Sequence, residues 1–182
     1  MKTFYALILI TVSFLYSCKS SKNTASESEI NALTQLVENK HFSIESTWAN
    51  PQVTNAMQQV LNSGLLQPGS NASSINLIGN SNYLKISGDS IYSYLPYFGE
   101  RQMHVNYGGT DSAIQFEGLM SDYKVSKRKD AGYNISFNAK SNSESFNVYI
   151  TLWPNLKSSM SLNSSSRFSI SYTGQVKKLK II

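Results

Sequence analysis

Four stretches of this chain alternate apolar and polar residues over seven or eight positions, and that period limits the fold more than any other feature. Tyr133, Ile135, Phe137 and Ala139 are interleaved with Asn134, Ser136, Asn138 and Lys140. The pattern recurs in Phe146, Val148, Ile150 and Leu152, and in Phe168, Ile170, Tyr172 and Gly174. It also sets Phe42, Ile44, Ser46 and Trp48 against Ser43, Glu45 and Thr47. Side chains on a strand point to opposite faces in turn, so each segment predicts a half-buried antiparallel strand with one wet face. Weaker strands are expected near 74–79, 82–87, 90–98, 113–118, 122–127 and 158–163. Turn chemistry separates them at Gly88-Asp89, Asn106-Tyr107-Gly108-Gly109, Lys129-Asp130-Ala131-Gly132 and Trp153-Pro154-Asn155. Short loops between successive strands predict a meander. No internal repeat is evident, which argues against a propeller or solenoid.

Two helices interrupt the β pattern. Ser26 followed by Glu29 forms a capping box ahead of Ile30, Leu33, Leu36 and Val37, which predicts an amphipathic helix over Glu27–Asn39. Asn50-Pro51 reads as a cap with proline in the first turn, Val53, Met57, Val60 and Leu61 as an apolar stripe, and Gly64 as a stop. The expected fold is α+β and mainly antiparallel β: a curled meander sheet, barrel-like or a sandwich. An N-terminal amphipathic helix covers one face or open end, and a short helical excursion lies between strands.

Ahead of this domain stands a different kind of segment. Lys2 precedes an apolar run from Phe4 to Tyr16, and Leu15-Tyr16-Ser17 leads into Cys18. The run is about 13 residues, where about 20 are needed to cross the hydrocarbon core. The pattern predicts a lipoprotein signal peptide over 1–17, cut before Cys18, whose sulfur then carries lipid. More than one acyl chain makes such attachment durable. Residues 18–25 are polar and aperiodic, a flexible tether, and 26–182 form a single β-rich domain. Cys18 is the only cysteine, which excludes an intrachain disulfide and a thiolate metal cluster. Of 16 Lys and Arg, 15 remain after Lys2 is removed, against 11 Asp and Glu, a net charge of +4. Lys127-Arg128-Lys129 reads as a solvated hairpin turn, and Lys177 to Lys180 as a basic tail near anionic headgroups. Export of a tethered protein argues against a nucleic-acid partner.

Several segments in order carry a family resemblance. They are Ile86-Ser87-Gly88-Asp89-Ser90-Ile91, Tyr94-Leu95-Pro96-Tyr97-Phe98-Gly99, Tyr107-Gly108-Gly109 with Ile114-Gln115-Phe116, and Arg167-Phe168-Ser169-Ile170-Ser171-Tyr172-Thr173-Gly174. Over roughly 27–176 the chain resembles the domain of unknown function 4251 family of exported lipoproteins from Bacteroidetes-type Gram-negative bacteria. Glu100 between Gly99 and Arg101, and a long excursion at 51–66, depart from the pattern. The resemblance implies a single β-rich lipoprotein domain with no assigned activity. With Lys19-Ser20-Ser21-Lys22 after the cysteine in place of an acidic run, it implies an outer-membrane location facing the periplasm.

Chemistry is sparse. Only His41 and His104 are available as imidazole bases, and no Gly-x-Ser-x-Gly elbow is present. His41 is placed to offset a helix dipole, and His104 falls in a loop. The acids sit singly, mostly in turns, as Asp89 does after Gly88. No metal-ligand spacing and no phosphate cradle occur, so no metal, cofactor or catalytic residue is expected. The aromatics say more. Tyr92, Tyr94, Tyr97 and Phe98 crowd one segment, with Arg101, His104 and Tyr107 close behind. Tyrosine and arginine are favoured in binding patches. Alternation puts Tyr92, Tyr94 and Phe98 on one face and Ile91, Leu95 and Tyr97 on the other, so both faces need cover. That cover is a helix, the excursion, or a ligand. Three readings follow: a non-catalytic membrane-tethered module that docks an envelope protein or glycan, a carrier or sensor of a small apolar ligand inside the curled sheet, and an enzyme with an unrecognised site. The first is the best supported.

Overall fold

Alternation becomes burial along nearly every strand. In a computed structural model, residues 25–64, 67–102, 113–141 and 144–179 are described. Helix α1 spans Glu27–Glu38 and strand β1 His41–Pro51. Helix α2 (Asn55–Asn62) and a two-residue strand β2 (Ile75–Asn76) follow. A hairpin comes next, β3 (Tyr83–Ser87) and β4 (Ser90–Leu95), then β5 (Ile114–Leu119) and β6 (Ser121–Lys127). The meander β7 (Tyr133–Lys140), β8 (Ser145–Leu152), β9 (Lys157–Ser164) and β10 (Ile170–Lys178) completes the sheet.

Hydrogen bonding runs in the order β5-β4-β3-β1-β10-β9-β8-β7-β6, with β2 beside β1, and all pairings are antiparallel. The two ends of this order are neighbours in sequence, joined by Met120 alone. β5 and β6 are therefore two halves of one bent run, the first half paired to β4 and the second to β7. That continuity curls the sheet into a nearly closed barrel, which decides between barrel and sandwich. Inward positions form one core, including Phe42, Ile44, Leu84, Ile86, Ile91, Leu95, Phe146, Val148, Ile150 and Tyr172. Burial of each such side chain contributes about 1.5–3 kcal/mol.

The capping box forms as the sequence predicts, with Glu29 N–H donating to Ser26 Oγ and Ser26 N–H to Glu29 Oε2. Hydrogen bonding by Ser26 lowers the Glu29 carboxyl below its ordinary range. Helix α1 packs on β1 with Leu33 and Val37 buried, and its Thr34 hydroxyl meets the Tyr133 hydroxyl of β7 at 3.1 Å.

Four expectations are corrected. Pro51 does not start a helix: it ends β1, opposite Ile170, and Thr54 caps α2 by accepting from Met57 N–H. Trp48 leaves the buried face because a register shift between Ser46 and Trp48 bulges β1, putting Ala49 and Pro51 inside instead. His41 does not serve the helix end. It begins β1, its Nδ1 3.3 Å from Ser87 Oγ, while Lys40 makes the turn at φ 45°. Lys177 and Lys178 are not a tail but the end of β10, where Lys177 pairs with Glu45 at 2.6 Å.

Candidate functional site

The aromatic segment divides at Pro96. Through β4 the inward set is Ile91, Ser93 and Leu95, so Tyr92 and Tyr94 stand on the outer, wet face. Tyr92 is 38 % exposed. Cross-strand pairing adds neighbours: Tyr83 lies opposite Tyr94, and Lys85 opposite Tyr92, with Glu117 and Gln115 across from them on β5. The Tyr83 and Tyr94 rings sit 6.3 Å apart, and Lys85 Nζ lies 4.3 Å over the Tyr83 ring. This face is a patch of three tyrosines flanked by a cation and an anion. Tyr92 lies on the face opposite the buried set of β4, so its ring does not line the barrel interior.

Beyond Pro96 the aromatics turn inward. Tyr97 is 7 % exposed and donates to the carbonyls of Glu100 and Phe168, at 2.9 and 3.1 Å. Phe98 packs against the core. Arg101 is half-buried and pairs backbone to backbone with Arg167. Tyr97 and Phe98 thus belong to a structural end of the barrel and not to the exposed patch. His104, Tyr107 and Cys18 lie outside the described residues.

Sequence reasoning missed what organises that end. The Arg167 and Glu144 side chains are 8 % and 6 % exposed, and Arg167 Nε donates to both carboxylate oxygens, at 3.1 and 2.8 Å. Ser164 Oγ donates to the same carboxylate, and the guanidinium lies 5.0 Å from the centre of the Tyr97 ring. Three separate segments meet here: the chain after β4, the turn before β8 and the connection after β9. Only the pairing of an isolated Glu with a distant Arg could have signalled it, and sequence order does not bring them together. The adjacent Tyr172 hydroxyl donates to Pro96 O at 2.8 Å inside the barrel.

Burial raises the Tyr172 phenol far above its ordinary value of 10.0, with Tyr97 adding to the rise and Arg167 opposing it. Burial also raises Tyr97, against the Arg167 charge, and Tyr123. The neutral phenol is therefore the form the fold prefers. The unfolded chain releases these protons near pH 10 while the folded chain keeps them, so this contribution is complete below pH 10 and is lost as pH rises above it. A spectrophotometric titration should show Tyr172 ionising only as the protein unfolds, and Tyr97 and Tyr123 ionising above the ordinary tyrosine value. A smooth titration of every tyrosine near pH 10 in the folded protein would contradict the burial assigned to them.

Among the described residues no group of three or more His, Cys, Asp or Glu is placed to hold a metal, and no helix is long and apolar enough to cross a membrane. Comparison with known proteins gives one family and one fold. A model of a domain of unknown function, DUF4251, matches residues 24–176. The chain is also similar to the crystal structure of a DUF4251 family protein from Bacteroides eggerthii DSM 20697. Identity is 13 %, the TM-score is 0.56, and the match covers 85 % of this chain and 90 % of that one. At that identity the likeness is one of fold. No curated protein matches.

Proposed function

The chain belongs to the DUF4251 family, and with a shared fold but no activity attached to it as the premise, we propose a lipid-anchored, non-catalytic docking module of the cell envelope. Acyl chains on Cys18 hold it on the outer membrane, facing the periplasm, and the outer face of β3 and β4 receives a partner protein. The observation that carries this reading is the exposure of Tyr92 beside Tyr83 and Tyr94, on a face whose opposite side already supplies the core. Tyrosine rings bring large contact area with few rotatable bonds, which is why they dominate binding hot spots. Lys85 and Glu117 flank Tyr92 in the same cross-strand row and give the patch a direction.

The N-terminal pattern supports the anchor. A short apolar run ending in Ser17-Cys18 cannot span a bilayer and suits lipid transfer to the thiol. The polar stretch from Lys19 to Ala25 would stretch to less than about 30 Å, so the partner must lie close to the membrane.

The test uses the full-length protein in its native membrane with chemical cross-linking and mass spectrometry. Wild-type protein should carry acyl chains on Cys18, and Cys18→Ser should move it to the soluble fraction. A Tyr92→Ala, Tyr94→Ala double variant should fold normally and lose at least about tenfold of its cross-linked partner, because a hot-spot tyrosine contributes about 2 kcal/mol or more. An unmodified Cys18 would sink the anchor, and an unchanged cross-linking pattern would sink the docking face.

A further inference from the structure

We propose that the outer side of β8 and its neighbours is a second binding site, a polar groove for an acidic oligosaccharide. It is independent of Cys18 and of the Tyr92–Tyr94 face. The inward positions of β8, from Phe146 to Leu152, are all buried, so Tyr149 and Thr151 share the opposite line. Trp153 follows one residue beyond the strand. Tyr149 is 53 % exposed in a strand where no packing need puts an aromatic outside.

Two open depressions lie along this line, and a third lies off its far end, across β1, β9 and β10. One of about 210 Å3 and one of about 550 Å3 share Lys124, Ser136 and Tyr149, so the Tyr149 ring stands between them. The third, of about 480 Å3, is lined by Trp153 and Lys157. Arg128 links it to the second, which it lines, because its guanidinium lies 5.8 Å from the centre of the Trp153 ring. At about 3.4 Å per residue the two aromatics are about 14 Å apart along the chain, a separation suited to an extended chain of several sugar rings. The two larger volumes fall within the range of small-ligand sites.

The lining chemistry selects the occupant. Asn147 donates to Asn138 at 2.6 Å, Asn138 to Asp122 at 2.7 Å, and Thr151 and Arg128 both donate to Asn134, at 3.2 and 3.3 Å. These contacts fix the amides and leave each with further hydrogen-bonding capacity, so donors and acceptors stand at set points before a ligand arrives. Hydroxyl-rich rings use such an array, and their C–H faces stack on aromatics such as the exposed Tyr149 and the half-buried Trp153. The cores of protein interfaces are depleted in lysine and serine, and this face is full of both. Charge narrows the choice. Lys124, Arg128 and Lys157 line the groove; Asp130 is ion-paired to Arg128, and Asp122, hydrogen-bonded to the neutral Asn138, keeps its charge at one end, so three cations stand against two carboxylates. The remaining positive charge favours rings that carry carboxylate or phosphate.

Calorimetric and NMR titration of the full-length protein in detergent tests the site, with trigalacturonate and a phosphorylated oligosaccharide as acidic probes, maltotetraose as a neutral probe and an acidic peptide. At least one acidic oligosaccharide should bind with Kd below about 1 mM. Tyr149→Ala and Trp153→Ala should each weaken it at least about tenfold, Lys124→Gln should weaken only acidic probes, and Tyr149→Phe should bind as wild type. Failure of both acidic probes to bind at about 5 mM would overturn the proposal. So would equal binding of maltotetraose or the peptide, or binding that survives Tyr149→Ala. None of these outcomes bears on cross-linking through Tyr92 and Tyr94, which lie on another strand.

Discussion

Replacing Arg167 with methionine should destabilise the protein by about 3–5 kcal/mol, the cost of leaving one member of a buried ion pair alone. Glu144 is 6 % exposed and receives both Arg167 contacts and the Ser164 hydroxyl, so without the guanidinium its carboxylate keeps only a neutral donor among the contacts described. The ring of Tyr97 also loses the cation 5.0 Å from its centre. For a chain of this size the expected fall in Tm is about 6–20 °C. Glu144→Leu alone should be damaging for the converse reason. The informative variant is the pair: Arg167→Met with Glu144→Leu should recover most of the loss, since well-packed apolar replacements of buried ion pairs are often neutral. Urea unfolding of the four proteins gives the coupling directly. A cost below about 1 kcal/mol for the single variants, or a double variant as unstable as the sum, would show that the pair does not clamp this end of the barrel.

The pair also marks how far the sequence could be read. Strands declared themselves wherever one face meets water: Tyr133–Lys140 and Ser145–Leu152 follow their alternation residue by residue. The α1 start was legible because the capping box is local, involving Ser26 and Glu29 alone. What stayed hidden depends on contacts between distant segments. The β1 bulge removes Trp48 from the buried face, and nothing within residues 41–51 announces it, since the cause lies on β10 and in Asn82. Pro51 suggested a helix start from its neighbour Asn50, yet pairing with β10 extends the strand through it. The barrel closure at Met120 was equally silent, because strand order is a global property.

The candidate sites followed the same rule. Tyr92 and Tyr94 were visible as an aromatic cluster, but their separation from Tyr97 and Phe98 required knowing that the strand ends at Leu95. Tyr149 was legible and overlooked: it occupies a wet position in one of the clearest alternating segments. An aromatic out of phase with its own strand is a stronger pointer to a surface role than a cluster whose members share the core.

Gly174→Ala should be as damaging as the loss of Arg167, for a reason that no side-chain movement can relieve. Gly174 lies opposite Ser46 on β1 and Ser158 on β9. A Cβ there would stand 2.6 Å from Ser46 Cα and still closer to the Glu45 carbonyl oxygen. Both are backbone atoms of the bulged segment, so β1 and β10 would have to separate. Overpacking of a rigid interior typically costs 1–3 kcal/mol, and a backbone clash belongs at or above the top of that range, about 3 kcal/mol. The clamp on the bulge should go with it. Asn82, itself buried, accepts from Ser46 N–H at 2.8 Å and donates to Ser46 O at 2.9 Å, replacing ladder bonds that the bulge gives up. Once Gly174→Ala has displaced Ser46, adding Asn82→Ala should cost little more, whereas Asn82→Ala alone should cost about 1–3 kcal/mol. Gly88→Ala is the control. Its Cβ meets nothing within 4 Å, and only its φ of +59° is unfavourable, so a loss of about 1–2 kcal/mol is expected. Equal costs at Gly174 and Gly88, or additive effects of Gly174→Ala and Asn82→Ala, would refute the close approach of β10 to the β1 bulge.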